Sequence, residues 1–412
     1  DMSMVPYDYS FYDNLLELVK EGEVPESRID EAVSRILRLK LDLGLFENPY
    51  PDPSLASKFA TPQSTILNQQ AACETITLLK NDEKTLPLSK NVKVLVTGPT
   101  ADKLSVLNGG WTITWQGNAE SLYPKDKPTI LRSIQQKIGA DNVSYAAGVD
   151  FDKEIDIQAA VKLAKKADAA VICIGEPAYC ETPGNINDLT MSEPQLKLVE
   201  AVKKTGVPVI LILAEGRPRI INRVVDKADA ILMAYLPGME GGSAVVDILF
   251  GDVNPSGKLP ISYPRFPNCL MTYDYKYSEI SDVNRYDVQF PFGFGLSYTN
   301  FHYSDLRLDK TAVGKGEKVT VSVKVQNTGK VAGKETVQLY LSDLVASVTP
   351  SVRKVEGFSK IDLRPGESKV VKFVIGPDEM SFIGRDAKRI VEPGDFEVTV
   401  ADLKAKFRLT SN

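Results

Sequence analysis

The chain has 412 residues, of which 43% are hydrophobic and 25% are charged, and its formal net charge at pH 7 is −5. This length is more than one domain usually holds, and the composition is that of an ordinary globular protein. The acidic balance gives no reason to expect a nucleic acid or an anionic membrane as partner, and no apolar run approaches the length of a membrane span.

The side chains available for chemistry are restricted. His302 is the only histidine, so a His-based triad or a His-rich metal site is nearly excluded. The cysteines are too few and too scattered for a disulfide framework or a zinc site. They are Cys73, Cys173, Cys180 and Cys269. Acid–base chemistry must therefore fall to carboxylates, Lys, Tyr or Cys, and neither a metal nor a cofactor is expected.

The first 47 residues have the pattern of two helices. Residues 12–19 have helical spacing and stop near Gly22, and residues 25–40 carry an amphipathic face that ends near Gly44. Two helices are too small to bury a core, so they must pack on something else. Residues 48–61 are rich in proline and are predicted to be a linker.

Residues 62–298 alternate between helical and strand patterns, which predicts a doubly wound α/β sandwich. A long helix is predicted over residues 61–81. Short apolar runs, such as residues 93–98 and 169–174, are predicted to be strands buried on both faces. Further strands are predicted at residues 144–147, 207–213 and 228–235, and helices at residues 130–138, 157–166, 194–204 and 243–250.

The pattern changes again in residues 303–412. Hydrophobic and polar residues alternate in four segments, with turn signals between them at regular spacing. These segments are residues 319–325, 335–341, 369–375 and 396–400. The alternation predicts a β-sandwich of the immunoglobulin or fibronectin type III kind.

A polar segment follows the predicted strand at residues 169–174 and carries the carboxylates Glu176 and Glu181. In an open α/β sheet, ligands bind outside the carboxyl ends of the strands, so this segment is a candidate site. The alternative is that both glutamates are solvated loop charges, which is the commoner state of Glu. The length of the loop favours a functional interpretation, because long ordered loops are more often functional.

The two tryptophans of the chain, Trp111 and Trp115, lie in one loop flanked by Gly109, Gly110 and Gly117. An indole offers a flat apolar face with an N–H at its edge, which suits the C–H faces and hydroxyls of a sugar. The alternative is that both indoles fill a domain interface. The glycines favour a site, because they would let the loop approach a ligand closely.

Taken together, these residues resemble family 3 glycoside hydrolases, the β-glucosidase and β-glucan exohydrolase family. Each match is weak alone, but the matches run in order along almost all of the chain. They are residues 1–6, 28–33, 44–47, 110–117, 175–176, 181–182, 216–218, 236–241, 249–252, 255–260 and 291–298, followed by the fibronectin-like tail.

The resemblance implies a retaining, exo-acting β-glycosidase whose substrate is an oligosaccharide or β-glucoside. A retaining mechanism uses a nucleophilic carboxylate and an acid/base carboxylate roughly 5–5.5 Å apart. The resemblance assigns the acid/base role to Glu181, with Glu176 as the alternative or as a hydroxyl-binding residue. It implies that Trp115 and Trp111 form an aromatic clamp beyond the cleaved bond, and that Met4 lies near the pocket for the terminal sugar.

The chain departs from the family pattern in one large respect. The family's nucleophile, in a Ser-Asp-Trp motif on a (β/α)8 barrel, normally precedes the segment at residues 1–6. We therefore expect this chain to be the C-terminal part of such an enzyme, with residues 1–47 as the last helices of the barrel. It should be inactive without the missing barrel segment. Since it begins at Asp1 without Met, a leader is expected to be lost and the location to be periplasmic or secreted.

Two other functions stay open at this point. The same domains would serve a non-catalytic carbohydrate-binding or scaffold module. Some relatives are phosphorylases that use a His as the acid/base, but His302 lies outside the candidate loop, which argues against that reaction.

Overall fold

The computed structural model of the chain describes residues 1–269, 272–276 and 287–411. Residues 270, 271 and 277–286, inside the region predicted to be α/β, lie outside the described residues, as does residue 412. The chain forms two compact units, Asp1–Ser64 and Thr65–Asn412. Among the described residues, no helix combines the length and apolarity needed to cross a bilayer.

The first unit contains the two predicted helices, α1 (Ser10–Lys20) and α2 (Glu26–Asp42), and a 3-10 turn at Pro53–Lys58. No residue of either helix is buried. This exposure agrees with the expectation that two helices cannot enclose a core. Their interpretation as the last helices of a barrel stays a prediction.

An α/β domain follows, and its first helix begins at Pro62, just before the second unit. Its helices are α3 (Pro62–Thr75), α4 (Ser105–Asn108), α5 (Ile130–Ile138), α6 (Ile157–Ala164), α7 (Glu193–Lys203), α8 (Asn222–Val225) and α9 (Gly241–Leu249). Its strands are β1 (Thr77–Asn81), β2 (Val94–Thr97), β3 (Val143–Ala146), β4 (Ala169–Gly175), β5 (Val209–Ala214) and β6 (Ala230–Met233). The alternation of helix and strand is confirmed.

These strands form one six-stranded sheet in the order β1-β6-β5-β4-β2-β3. Strands β2 to β6 pair in parallel, and β1 pairs antiparallel with β6 at the edge. Counted from β2, the parallel strands lie in the order second-first-third-fourth-fifth, which is the flavodoxin-like arrangement. The direction in which strands are added reverses between β2 and β4, so the topological switch point lies between those two strands.

Strand β4 is central to the domain and is buried along its whole length. Ala169, Val171 and Cys173 face a core formed with α3, α5 and α9. The residues between them face a second core, formed with α6, α7 and α8. A strand with an apolar core on each side must be apolar at every position, and this explains the continuous run in the sequence.

The helix predicted over residues 61–81 is wrong at its end. Helix α3 stops at Thr75, and Thr77–Asn81 forms strand β1. Ile76 and the threonines beside it are β-branched, which disfavours a helix and suits a strand. Pairing with β6 then fixes the strand, with Leu78 opposite Leu232.

The rest of the second unit is the predicted β-sandwich. One sheet has the strand order β11-β10-β15-β16-β8 and the other β12-β9-β7. The strands of these two sheets are β7 (Phe301–Leu308), β8 (Ala312–Val313), β9 (Val319–Asn327), β10 (Gly333–Asp343), β11 (Lys354–Leu363), β12 (Ser368–Ile375), β15 (Gly394–Val400) and β16 (Leu403–Leu409). A separate pair is formed by β13 (Phe382–Ile383) and β14 (Arg389–Ile390). Alternate residues of β9, from Val319 to Val325, are buried between the sheets.

Candidate active site

Two loops meet at the carboxyl end of the parallel sheet. The tryptophan loop, residues 109–117, follows β2 and α4, and the glutamate loop, residues 176–190, follows β4. Strands β2 and β4 are neighbours in the sheet and flank the switch point. The fold thus brings together two segments that lie about seventy residues apart, at the place where ligands bind in open α/β sheets.

Glu181 and Trp111 lie in contact at this end of the sheet. The indole Nε1–H of Trp111 donates a hydrogen bond to Glu181 Oε1 at 3.3 Å. Both residues have left-handed backbone conformations, with φ of +58° at Trp111 and +52° at Glu181. Such conformations are costly for residues other than glycine and cluster at functional sites.

Neither indole is buried within the second unit. The exposed fraction is 70% for Trp111 and 46% for Trp115. The backbone N–H of Trp111 donates to the carbonyl of Trp115 at 2.8 Å, which closes the loop between them. Both indoles are therefore accessible, and that of Trp111 lies next to the Glu181 carboxylate.

The glycines of the tryptophan loop allow other parts of the protein to approach closely. A Cβ on Gly110 would lie 2.5 Å from Cys180 Cβ and 2.7 Å from the carbonyl oxygen of Tyr179, so Gly110 lets the tryptophan loop pack directly on the glutamate loop. Gly117 has φ of +66°, and a Cβ there would overlap Gly109, so Gly117 lets the tryptophan loop close on itself.

A side-chain amide joins the two loops. Gln116 Nε2 donates to the carbonyl of Cys180, and the N–H of Cys180 donates to Gln116 Oε1, both at 3.0 Å. The amide therefore binds both backbone groups of the residue directly before Glu181. Sequence reasoning did not single out Gln116, because nothing local to it signals a partner 64 residues away.

Glu176 lies in a different environment from Glu181. Its side chain is only 3% exposed, and its Oε1 accepts hydrogen bonds from Arg217 Nε and from Arg219, each at 2.8 Å. Glu176 Oε2 has no hydrogen-bond partner among the residues that the structure describes.

The same two arginines hold the backbone of the glutamate loop. Arg217 donates to the carbonyl of Gly184 at 2.6 Å, and its guanidinium stacks 4.0 Å from the Tyr179 ring centroid. Arg219 donates to the last two carbonyls of the loop, at 3.0 and 2.6 Å. Glu176 and the arginines therefore form an anchor at the base of the loop.

A second glutamate, Glu215, lies fully buried beside this anchor. It accepts hydrogen bonds from the hydroxyl of Tyr263 at 2.8 Å and from the N–H of Arg219 at 3.2 Å. Burial raises the pKa of Glu215 to about 8, and the nearby charge of Glu176 adds to the shift. Its position directly after β5 was the only sequence signal for it.

The remaining residues considered from the sequence lie elsewhere. Met4 belongs to the first unit, where its side chain is 92% exposed, and its role stays a prediction. His302 lies on β7 of the sandwich and is exposed, whereas Glu181 follows β4 of the α/β domain. A histidine acid/base for phosphorolysis is thus not present in the glutamate loop.

Comparison with known proteins gives matches to two family models. The model of the glycosyl hydrolase family 3 C-terminal domain matches residues 76–298, and that of the fibronectin type III-like domain matches residues 335–403. The first match alone covers more than half of the chain and includes both loops of the candidate site.

Several named proteins are similar along almost the whole chain. A lysosomal beta glucosidase of Dictyostelium discoideum is 43% identical over 98% of this chain and 51% of its own length. A periplasmic beta-glucosidase of Salmonella typhimurium is 35% identical over 97% of this chain and 57% of its own. The crystal structure of a beta-glucosidase from Listeria innocua in complex with glucose has a TM-score of 0.86, at 28% identity, over 96% of this chain and 56% of that one. This chain thus spans about half the length of the curated relatives that it matches.

Proposed function

The chain belongs to glycosyl hydrolase family 3, and from that premise we propose that it supplies the acid/base half of a retaining, exo-acting β-glycosidase. The substrate class is a β-glucoside or an oligosaccharide with a terminal β-linked glucose or related sugar. The relatives are named as glycosidases, so a non-catalytic carbohydrate-binding or scaffold module is not favoured.

One observation carries the choice of proton donor: Glu181 lies against an exposed indole at the switch point of the sheet. A sugar stacked on Trp111 would bring its glycosidic oxygen near this carboxyl group. Glu181 would protonate the departing glycosidic oxygen in the first step and deprotonate the attacking water in the second. Glu176 is a poorer candidate, because two guanidinium groups already occupy its buried carboxylate.

The second carboxylate of the reaction is proposed to come from a family 3 barrel. A general acid must keep its proton near the working pH, and exclusion of water around the carboxyl group is one way to achieve this. Glu181 is exposed in this chain. We propose that the barrel and the bound substrate cover it, and that the 412 residues alone do not turn over a β-glucoside.

The test compares Glu181→Gln with Glu176→Gln in this chain joined to the barrel of a family 3 relative. Loss of the general acid should lower kcat/KM roughly 10²- to 10⁴-fold for a poor leaving group. The loss of kcat/KM should be much smaller for a dinitrophenyl β-glucoside, whose leaving group needs no proton. Glu176→Gln should affect both substrates alike. The proposal fails if Glu181→Gln retains full activity on the poor leaving group, or if the chain without a barrel hydrolyses an aryl β-glucoside.

We also propose a periplasmic or secreted location. The support is the relative named as a periplasmic enzyme. Fractionation of cells that produce the natural protein tests this, and recovery of the protein only with cytoplasmic markers would contradict it.

A further inference from the structure

We propose that Gln116 is a positioning residue that holds Glu181 against Trp111. The inference depends on the proposed function only in naming Glu181 as the proton donor. The contact that it assigns to Gln116 concerns the arrangement of the two loops, and it is testable without turnover.

The amide of Gln116 has the geometry of a two-point contact. Gln116 binds the N–H and the carbonyl of Cys180 at once, each at 3.0 Å. Two antiparallel strands exchange the same pair of bonds at a hydrogen-bonded position. A single side chain therefore fixes both the position and the orientation of the peptide groups on either side of Cys180, one of which continues into Glu181.

Gln116 is itself held in place by its neighbours in the chain. The next residue, Gly117, has its carbonyl bound by the hydroxyl of Tyr123 at 2.7 Å. Tyr123 is buried, so this bond ties the tryptophan loop to the body of the domain. Gln116 can hold Cys180 only if it is itself fixed, because an amide on a mobile loop would move together with its partner.

The backbone of Glu181, the residue being held, is strained. Its φ of +52° is a conformation that is costly for a residue with a Cβ. Such a conformation persists only where neighbouring contacts impose it. Gln116 acts on the residue before Glu181, and the carbonyl of Glu181 accepts from the N–H of Gly184 at 2.8 Å on the other side. Loss of the amide would let Glu181 relax to an ordinary backbone conformation and leave Trp111.

The arginine anchor does not replace the hydrogen bonds of Gln116 to Cys180. Arg217 and Arg219 bind the carbonyls of Gly184, Leu189 and Thr190, all of which follow Glu181 in the chain. Gln116 acts from the opposite side of the loop, on the residue that precedes it. The two sets of contacts therefore have separable effects: the anchor sets the path of the loop, and the amide sets the direction of the carboxylate.

Indole fluorescence of this chain tests directly whether Gln116 holds Glu181 against Trp111, because Trp111 and Trp115 are its only tryptophans. Glu181 accepts a hydrogen bond from the indole of Trp111, so replacing its carboxylate with an amide should change the emission of that indole. The change in emission that Glu181→Gln causes at constant pH is called the fluorescence step. Gln116→Met, which keeps the length of the side chain without its amide, should lose most of the step.

Gln136→Met is the matched control, because Gln136 is exposed on α5 and far along the chain from either loop. It should keep the full step. If Gln116→Met proves poorly folded by circular dichroism, Gln116→Glu takes its place, since it keeps the acceptor for Cys180 N–H and loses the donor. That variant should give an intermediate amplitude. A full step in the substituted Gln116 chain, or no step in the unmodified chain, overturns the inference.

The catalytic consequence is measured in the chain joined to a family 3 barrel. Misplacing a proton donor by about 1 Å can cost roughly 10²-fold, so Gln116→Met should lower kcat/KM by about 10- to 100-fold for a poor leaving group. It should change little for a dinitrophenyl β-glucoside, and equal losses on both substrates would contradict a positioning role. If Glu181→Gln leaves hydrolysis unchanged, the proposed function fails, while the fluorescence step still decides whether Gln116 holds Glu181.

Discussion

The two ends of the site differ in what the protein does with a glutamate. At the base of the glutamate loop, Glu176 is buried and bound by two arginines. At its rim, the Glu181 carboxylate is exposed and is bound by the edge of an indole. The residues are five positions apart and chemically identical, so the difference comes from their surroundings. A carboxylate with its charge already matched serves to hold a loop, whereas an open one beside an apolar face remains available for chemistry.

If the anchor at the base of the glutamate loop is structural, removing one of its arginines should have the largest effect on stability. Arg219→Ala leaves a buried carboxylate with one partner fewer and frees two loop carbonyls, so we expect a loss of about 3–5 kcal/mol of unfolding free energy. Urea unfolding followed by the two indoles measures it, because both belong to the α/β domain. Arg223→Ala is the control, since Arg223 pairs with Glu193 at the surface and should contribute no more than about 1 kcal/mol. Equal losses of unfolding free energy in the two variants would refute a structural role for the anchor.

The next largest effect is expected where the loops touch. A methyl group on Gly110 meets Cys180 and the Tyr179 carbonyl, so Gly110→Ala should cost about 1–3 kcal/mol by forcing the loops apart. It should also abolish the fluorescence step assigned to Glu181. Gly376→Ala in the sandwich serves as control, because a Cβ there has no neighbour closer than 3.4 Å. Normal stability in Gly110→Ala would mean that the loops are not packed as described.

Glu215, which lies beside the anchor, should make the unfolding free energy of the protein sensitive to pH. Its folded-state pKa of about 8 lies above the ordinary value of about 4.5, so the folded protein holds a proton that the unfolded chain releases. Stability that this group contributes is present below pH 4.5 and falls as the pH rises towards 8, by up to about 1.4 kcal/mol per pH unit. Glu215→Gln should flatten this dependence. An unchanged slope in the variant would show that another group is responsible.

Substitution of Glu181, at the rim of the glutamate loop, should have the smallest effect on stability. Glu181→Gln removes an exposed carboxylate with one long hydrogen bond, so the unfolding free energy should change by less than about 0.5 kcal/mol. The same urea experiment measures it beside Arg219→Ala. A loss of several kcal/mol at Glu181 would erase the contrast between rim and base.

The periodicity of the sequence predicts the architecture well, because each element carries its own signal. The continuous apolar run of β4 and the alternation of β9 follow directly from one buried sheet and one half-buried sheet. The exception is residues 61–81, where β1 depends on pairing with a strand about 150 residues away. Local patterns do not contain such a pairing.

The site was predictable only in part. The two glutamates and two tryptophans stand out in the sequence, and the fold places Glu181 beside Trp111 as a site would require. The choice between Glu181 and Glu176 rests on burial and on Arg219, which only the folded chain brings to Glu176. Gln116 is invisible for the same reason, since its partner is the backbone of Cys180 and not a side chain with a recognisable pattern.

The most direct test of the account is the product formed by Glu181→Gln in the presence of azide. In the chain joined to a family 3 barrel, with a dinitrophenyl β-glucoside as substrate, a variant without its acid/base accumulates a glycosyl intermediate that water attacks slowly. Azide needs no base, so the account predicts faster turnover and a β-glucosyl azide product from Glu181→Gln, and neither from Glu176→Gln. Azide rescue of Glu176→Gln instead of Glu181→Gln would contradict the account.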